Sequence, residues 1–413
     1  MSLKVRLVIM NFLQFAVWGA YLTCMGIYLG KLGLGSHIGS FFAMQGLASI
    51  FMPALMGIVA DRLIPAQRLF GYCHLLAGVF MLLVGWYGYQ GGVNGTEFSV
   101  LFTLYSISVA FYMPTLSLSY SVAYRIMTDT GMDTVKEFPS IRVFGTVGFI
   151  AMMWFVDFMD YEQSQGQFVV SGLLSIILFA YSFSLPNCPI DNGMEKKSFS
   201  ERLGLQAFSL FKQKEMALFF MFSALLGISL QITNGFATPF LDHFKSIPEY
   251  ANSFGVVLPV VLYSISQISE TFCILLIPFF MRRYGIKKVM LIAMLAWVLR
   301  FALLGMGHPG DGLPLFVLSM VVYGVAFDFF IVSGSLYVDK STNPQLRSSA
   351  QGLFMLMNNG IAATVGSLSA QAVVNAHTSS DGIVDWSRCW YIFAAYALVV
   401  AVAFALTFHP KKQ

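Results

Sequence analysis

Charge is what this chain has least of. Asp, Glu, Lys and Arg make up 11% of its 413 residues and hydrophobic residues 57%, where an average globular protein carries roughly 25% charged residues. A water-facing surface cannot be built from so few charges, so most of this surface must face lipid. Cysteine is scarce too. Cys24, Cys73, Cys188, Cys273 and Cys389 are odd in number, scattered, and mostly inside apolar runs, which argues against a disulfide framework or a thiolate metal site. None of the six histidines is paired at metal-ligand spacing, and neither H-E-x-x-H nor G-x-S-x-G occurs. Gly33, Gly35 and Gly39 miss the dinucleotide fingerprint, because the third glycine is one place late and no strand precedes it. With no paired nucleophile and base, no enzyme and no cofactor is expected. The first apolar run, Leu7 to about Gly30, has no small-residue cleavage site before Trp18 and reads as a retained helix.

What the chain has in abundance is apolar runs of about 20 residues, each long enough to cross a hydrocarbon core of ~30 Å. They fall at approximately 6–30, 38–60, 68–89, 98–124, 142–160, 167–186, 216–241, 255–281, 287–306, 313–338, 347–375 and 389–408, which makes twelve. Membrane strands would alternate over about ten residues, and these runs do not. With both termini cytoplasmic, the inner segments hold twenty of the 24 Lys and Arg, leaving only Lys31, Lys245, Arg300 and Arg388 elsewhere. That asymmetry is the positive-inside pattern. The basic excess therefore reports topology, and no basic stripe calls for nucleic acid. The polar stretch 187–215 separates an N-terminal bundle, 1–186, from a C-terminal bundle, 216–413, and reads as a cytoplasmic linker. The expected fold is an all-α integral membrane protein with twelve transmembrane helices in two six-helix repeats, an architecture in which substrate binds between rocking halves.

Ionisable groups at membrane depth are costly and are functional candidates by default. Four stand out: Glu270 near the middle of span eight, Asp328 in span ten, Arg300 in span nine and Arg142 at the inner start of span five. Gln267 and Glu270 are three apart and share a helix face, as do Gln231 and Asn234 on span seven. Amides both donate and accept, which suits a neutral polyhydroxylated ligand bearing a heterocyclic base. The competing reading is helix-to-helix hydrogen bonding. Asp328 is flanked by aromatics. Desolvation favours a neutral carboxyl and a nearby cation a charged one, so a carboxylate poised between them can load and release a proton. Its alternative is a permanent ion pair with Arg300 or Arg142. Tyr323 and Phe327 can stack on a base; Gln14, Trp18 and Tyr21 share a face of span one and are secondary candidates. His74 reads as a packed residue. Asp61 and Arg62 end span two and are read as a gate, with Gly57 and Pro53 allowing close packing and a bend.

Gly57, Asp61 and Arg62 match the G-x-x-x-D-R-x-G-R-[KR] signature of the major facilitator superfamily, although Ile64 replaces its second glycine. Longer strings are more specific, among them FLQFAVWG from Phe12, FPSIRVFGTVGF from Phe138, LQITN from Leu230, ISQISET from Ile265 and YGVAFDFF from Tyr323. Together they resemble the nucleoside:proton symporter family of that superfamily, the group of the bacterial nucleoside and xanthosine permeases. The resemblance implies that Arg142, Thr146, Gln231, Asn234, Gln267, Glu270, Tyr323 and Phe327 line the substrate site, with Glu270 on the ribose hydroxyls and Asp328 or Glu270 carrying the proton. It implies a proton-coupled nucleoside importer of the bacterial inner membrane, working by alternating access and functional as a monomer. A proton symporter for sugars or other neutral polyols is the alternative. Nucleotides are disfavoured, because a phosphate calls for convergent cations and only Arg142 is at hand.

Overall fold

A chain that crosses lipid must satisfy its backbone N–H and C=O groups within itself, and single-segment helices do this. The computed structural model describes residues 2–189, 205–343 and 346–409, and these are almost entirely helical. Two compact units divide the chain, Met1–Lys197 and Ser198–Gln413.

The first unit contains α1 (Leu3–Gly19), α2 (Met25–Lys31), α3 (Ile38–Arg62), α4 (Ala66–Gly95), α5 (Phe98–Asp129), α6 (Thr134–Phe158) and α7 (Gly166–Ser182). Ser2 caps α1 by accepting from the Val5 amide. Span one is a single run in hydropathy but not in backbone: it breaks after Gly19, where Tyr21 and Cys24 donate to the carbonyls three residues back. Beyond the break the Tyr21 ring meets Tyr105 edge-on at 6.2 Å, and Trp18 donates to Gln45, which donates to the same Tyr105. α1 and α6 touch backbone to backbone. A Cβ on Gly148 would lie 2.2 Å from the Phe12 carbonyl oxygen, and one on Gly19 would lie 2.3 Å from that of Phe149, so only glycine fits at either place. α6 begins at Thr134, about two turns earlier than its hydropathy suggests, so Arg142 sits inside the helix rather than at its start. A Cβ on Gly57 would meet nothing within 4 Å among the described residues.

The second unit contains α8 (Lys214–His243), α9 (Pro259–Met306), α10 (Leu313–Ser341), α11 (Arg347–Met355), a π-helical turn (Leu356–Ile361), α12 (Ala362–Ala376) and α13 (Trp386–Thr407). α9 spans 48 residues and holds spans eight and nine. They are divided at Gly285, whose φ of 74° and ψ of 169° turn the chain without a loop, a conformation glycine adopts cheaply. Nine helical runs among the described residues are long and apolar enough to cross a membrane, α9 among them. Counting α9 twice and adding the broken α1–α2 pass and the 17-residue α7 gives twelve passes, since about 17 residues is the lower bound for a span.

Candidate functional site

α9 places Tyr263, Gln267 and Glu270 on one face, at i, i+4 and i+7. Across from it on α8, Asn234 accepts from the Tyr263 hydroxyl at 3.3 Å, which ties the two polar runs together. Gln267 is buried and its Oε1 has no hydrogen-bond partner, so it keeps an acceptor in reserve. Gln231 is buried one turn before Asn234, and Glu270 is half-buried. α10 approaches α9 at Gly324, where a Cβ would come 2.7 Å from the Ser269 carbonyl oxygen. That contact puts Asp328 within electrostatic reach of Glu270.

Asp328 is 4% exposed, and its Oδ2 finds no hydrogen-bond donor. The ion pair with Arg300 that the sequence left open is not formed. The Arg300 guanidinium instead donates from Nη1 to the Ser319 carbonyl at 2.6 Å and lies 4.8 Å from the centroid of the Tyr323 ring. Tyr323 is itself covered: Phe327 stacks on it at 5.7 Å with 9° between planes, and Trp297 meets it edge-on at 5.8 Å. Phe327 is half-buried and opens onto a crevice bounded by Leu226, Gly227, Leu230, Trp297 and Asn358. Of the two aromatics, only Phe327 lines this crevice.

In the first unit, Arg142 is half-buried; its Nε donates to the Tyr120 hydroxyl at 2.8 Å and its guanidinium lies 4.0 Å from the Phe15 centroid. Thr146, one turn on, is half-buried on the same face. The same unit buries a closed polar cluster. The Thr115 hydroxyl donates to the Tyr112 carbonyl and so accepts from Gln14 Nε2 at 2.8 Å, which orients that amide. Gln14 Oε1 then accepts from His74 Nε2 at 2.7 Å, and the Ser175 hydroxyl, with one proton to give, lies 2.9 Å from His74 Nδ1 and 3.0 Å from the His74 carbonyl. Gln14 and His74 are both buried within this cluster. Trp18 donates to Gln45 at 3.1 Å. Asp61 and Arg62 end α3, and their side chains lie outside the described residues.

A family model described as nucleoside H+ symporter matches residues 1–413. The chain belongs to the nucleoside H+ symporter family. Among this symporter's relatives, the nucleoside permease NupG of Escherichia coli is 44% identical over 415 residues, covering 100% of this chain and 97% of the relative. The xanthosine permease of E. coli is 44% identical over 412 residues, covering 99% and 96% respectively. A crystal structure of the nucleoside transporter NupG superposes with a TM-score of 0.92 over 100% of both chains at 44% identity. The symporter has the major facilitator fold and is a multi-pass membrane protein.

Two residues of the candidate site escaped sequence reasoning. Tyr263 precedes Gln267 by four residues, and that spacing would have found it. Asn358 had no such signal: it lies in the π-helical turn, where its Nδ2 donates to the Phe354 carbonyl at 2.9 Å, and such turns are rare interruptions of an α-helix.

Proposed function

We propose that this chain imports nucleosides together with protons across the bacterial inner membrane by alternating access. The observation that carries the reading is Asp328: a buried carboxylate with an unpartnered oxygen, beside Glu270 and one residue from the ring that opens onto the crevice. A proton on Asp328 removes the cost of its burial, and the nucleoside hydroxyls supply donors to Glu270. In this reading Phe327, backed by Tyr323, stacks on the base; Gln231, Asn234 and Gln267 hydrogen-bond base and ribose; and Arg142 and Thr146 contribute from the first unit. Gly57, Asp61 and Arg62 act in gating. Two six-helix bundles, 1–186 and 216–413, are joined by a cytoplasmic linker, 187–215, of which residues 190–204 lie outside the described residues. Both termini face the cytoplasm, and the monomer in a lipid bilayer is the working unit.

The test is uptake into proteoliposomes with an inside-alkaline gradient, using radiolabelled uridine, adenosine and xanthosine, each with and without a protonophore. Concentrative uptake of at least one nucleoside, collapsed by the protonophore, is expected. Accumulation of a sugar with every nucleoside excluded would replace this reading with a polyol symporter. Equal nucleoside uptake with and without the protonophore would remove the proton from the mechanism.

A further inference from the structure

The second unit encloses one full positive charge that the proposed proton chemistry does not use. Arg300 is 0% exposed, and a buried cation without a counter-ion is costly. Among the described residues no carboxylate pairs with it. Its Nη1 donates to the Ser319 carbonyl at 2.6 Å and to Ser266 Oγ at 3.4 Å, its Nη2 reaches Met320 Sδ at 3.8 Å, and Nε has no partner. Ser319 returns a hydrogen bond from its hydroxyl to the Arg300 carbonyl at 3.1 Å. This reciprocal clasp between α9 and α10 fixes the guanidinium without a salt bridge.

What the guanidinium faces is two aromatic rings, with its central carbon 4.8 Å from the centroid of Tyr323 and 5.9 Å from that of Tyr263. A cation held over a desolvated ring is drawn to the negative face of its quadrupole, which restrains ring and cation together. Each ring leads to a different part of the substrate face. Tyr263 donates to Asn234, and Tyr323 stacks almost flat on Phe327.

We propose that Arg300 is a positioning residue of the nucleoside site, holding Tyr263 and Tyr323 so that Asn234 presents its amide and Phe327 its ring, without itself touching the nucleoside. The proposal rests on the reading of that face as the nucleoside site. Arginine suits the task where lysine does not. A planar guanidinium can face rings while donating in its own plane to the Ser319 carbonyl and Ser266, and an ammonium concentrates its charge at one point.

The experiment measures initial rates of radiolabelled uridine uptake in proteoliposomes for the wild type, Arg300→Met, Arg300→Lys and Tyr263→Phe. Rates are normalised to the transporter recovered as a monodisperse peak. Arg300→Met should raise KM about tenfold or more, the scale of one desolvated cation–π contact. Arg300→Lys should raise it several-fold, and in both variants the maximal rate per folded transporter should stay within about twofold of wild type. A residue that only supports folding would lower recovery and leave KM unchanged, and that pattern in both Arg300 variants overturns the assignment. If Arg300→Met is not recovered folded, Arg300→Lys and Tyr263→Phe decide, and wild-type KM in both overturns it. Wild-type protein that takes up no nucleoside removes the transport reading and the positioning role with it, an outcome distinct from a wild type that transports beside unaffected variants.

Discussion

Two buried polar hubs, one in each unit, are built from similar residues and finished differently. Around His74 every hydrogen-bonding position of the hub is used: both ring nitrogens, both ends of the Gln14 amide, and the Thr115 and Ser175 hydroxyls. Around Asp328 the accounts stay open, with Asp328 Oδ2, Gln267 Oε1 and Arg300 Nε all buried and all without a partner. A polar group left unpaired at membrane depth is expensive. A closed hub therefore reads as structure, and an open one as capacity held for a proton and a ligand. Both hubs occupy apolar spans of similar composition, so composition does not tell them apart.

The comparison breaks most visibly at Asp328. Asp328→Asn keeps the shape and removes the exchangeable proton, so pH-driven accumulation of nucleoside should be lost, with internal and external concentrations becoming equal, while counterflow exchange persists. Full accumulation by this variant would move the proton elsewhere. Next comes the ring that opens onto the crevice. Base stacking on an aromatic is worth about 1–3 kcal/mol, so Phe327→Ala should raise the nucleoside Kd about 5- to 150-fold by calorimetry. A Kd within twofold of wild type would take the base away from this ring.

Gln267→Ala removes a single neutral hydrogen bond, worth about 0.5–1.5 kcal/mol, and should weaken the same binding about two- to tenfold. The smallest effect on transport belongs to the closed hub. His74→Leu leaves Gln14 Oε1 and the Ser175 hydroxyl without their ring partner, at a cost of about 1–3 kcal/mol. It should lower the thermal midpoint in detergent and leave the nucleoside KM unchanged. A raised KM with an unchanged midpoint would make His74 part of the site and erase the distinction between the hubs.

Much of the architecture was legible in advance because membrane insertion is read locally. Twenty apolar residues in a row are a helix across lipid whatever surrounds them, and the cations between runs orient it. The twelve spans match the helices, with errors where the backbone depends on a neighbour or on one glycine. The break after Gly19 interrupts an unbroken apolar run, and Gly285 turns α9 where a cationic loop was expected. The site was legible in part. Gln231 with Asn234, and Gln267 with Glu270, announce shared faces by spacing alone. Tyr323 and Phe327 were equivalent in sequence and are not in space, because Trp297 and Arg300, from a span some two dozen residues away, meet the ring of Tyr323.

The sequence by itself determined the membrane, the number of the passes, the family, and the few ionisable residues at depth, because hydropathy and motif strings are properties of neighbours along the chain. Only the tertiary structure decided which of those residues are satisfied. Hydrogen bonds and ring contacts join Gln14 to Thr115, His74 to Ser175 and Arg300 to Tyr323 across helices, and a pairing made through space leaves no periodicity to read. With it came the finding that the scant charge of this chain includes one arginine that no acid among the described residues answers, held between two tyrosines.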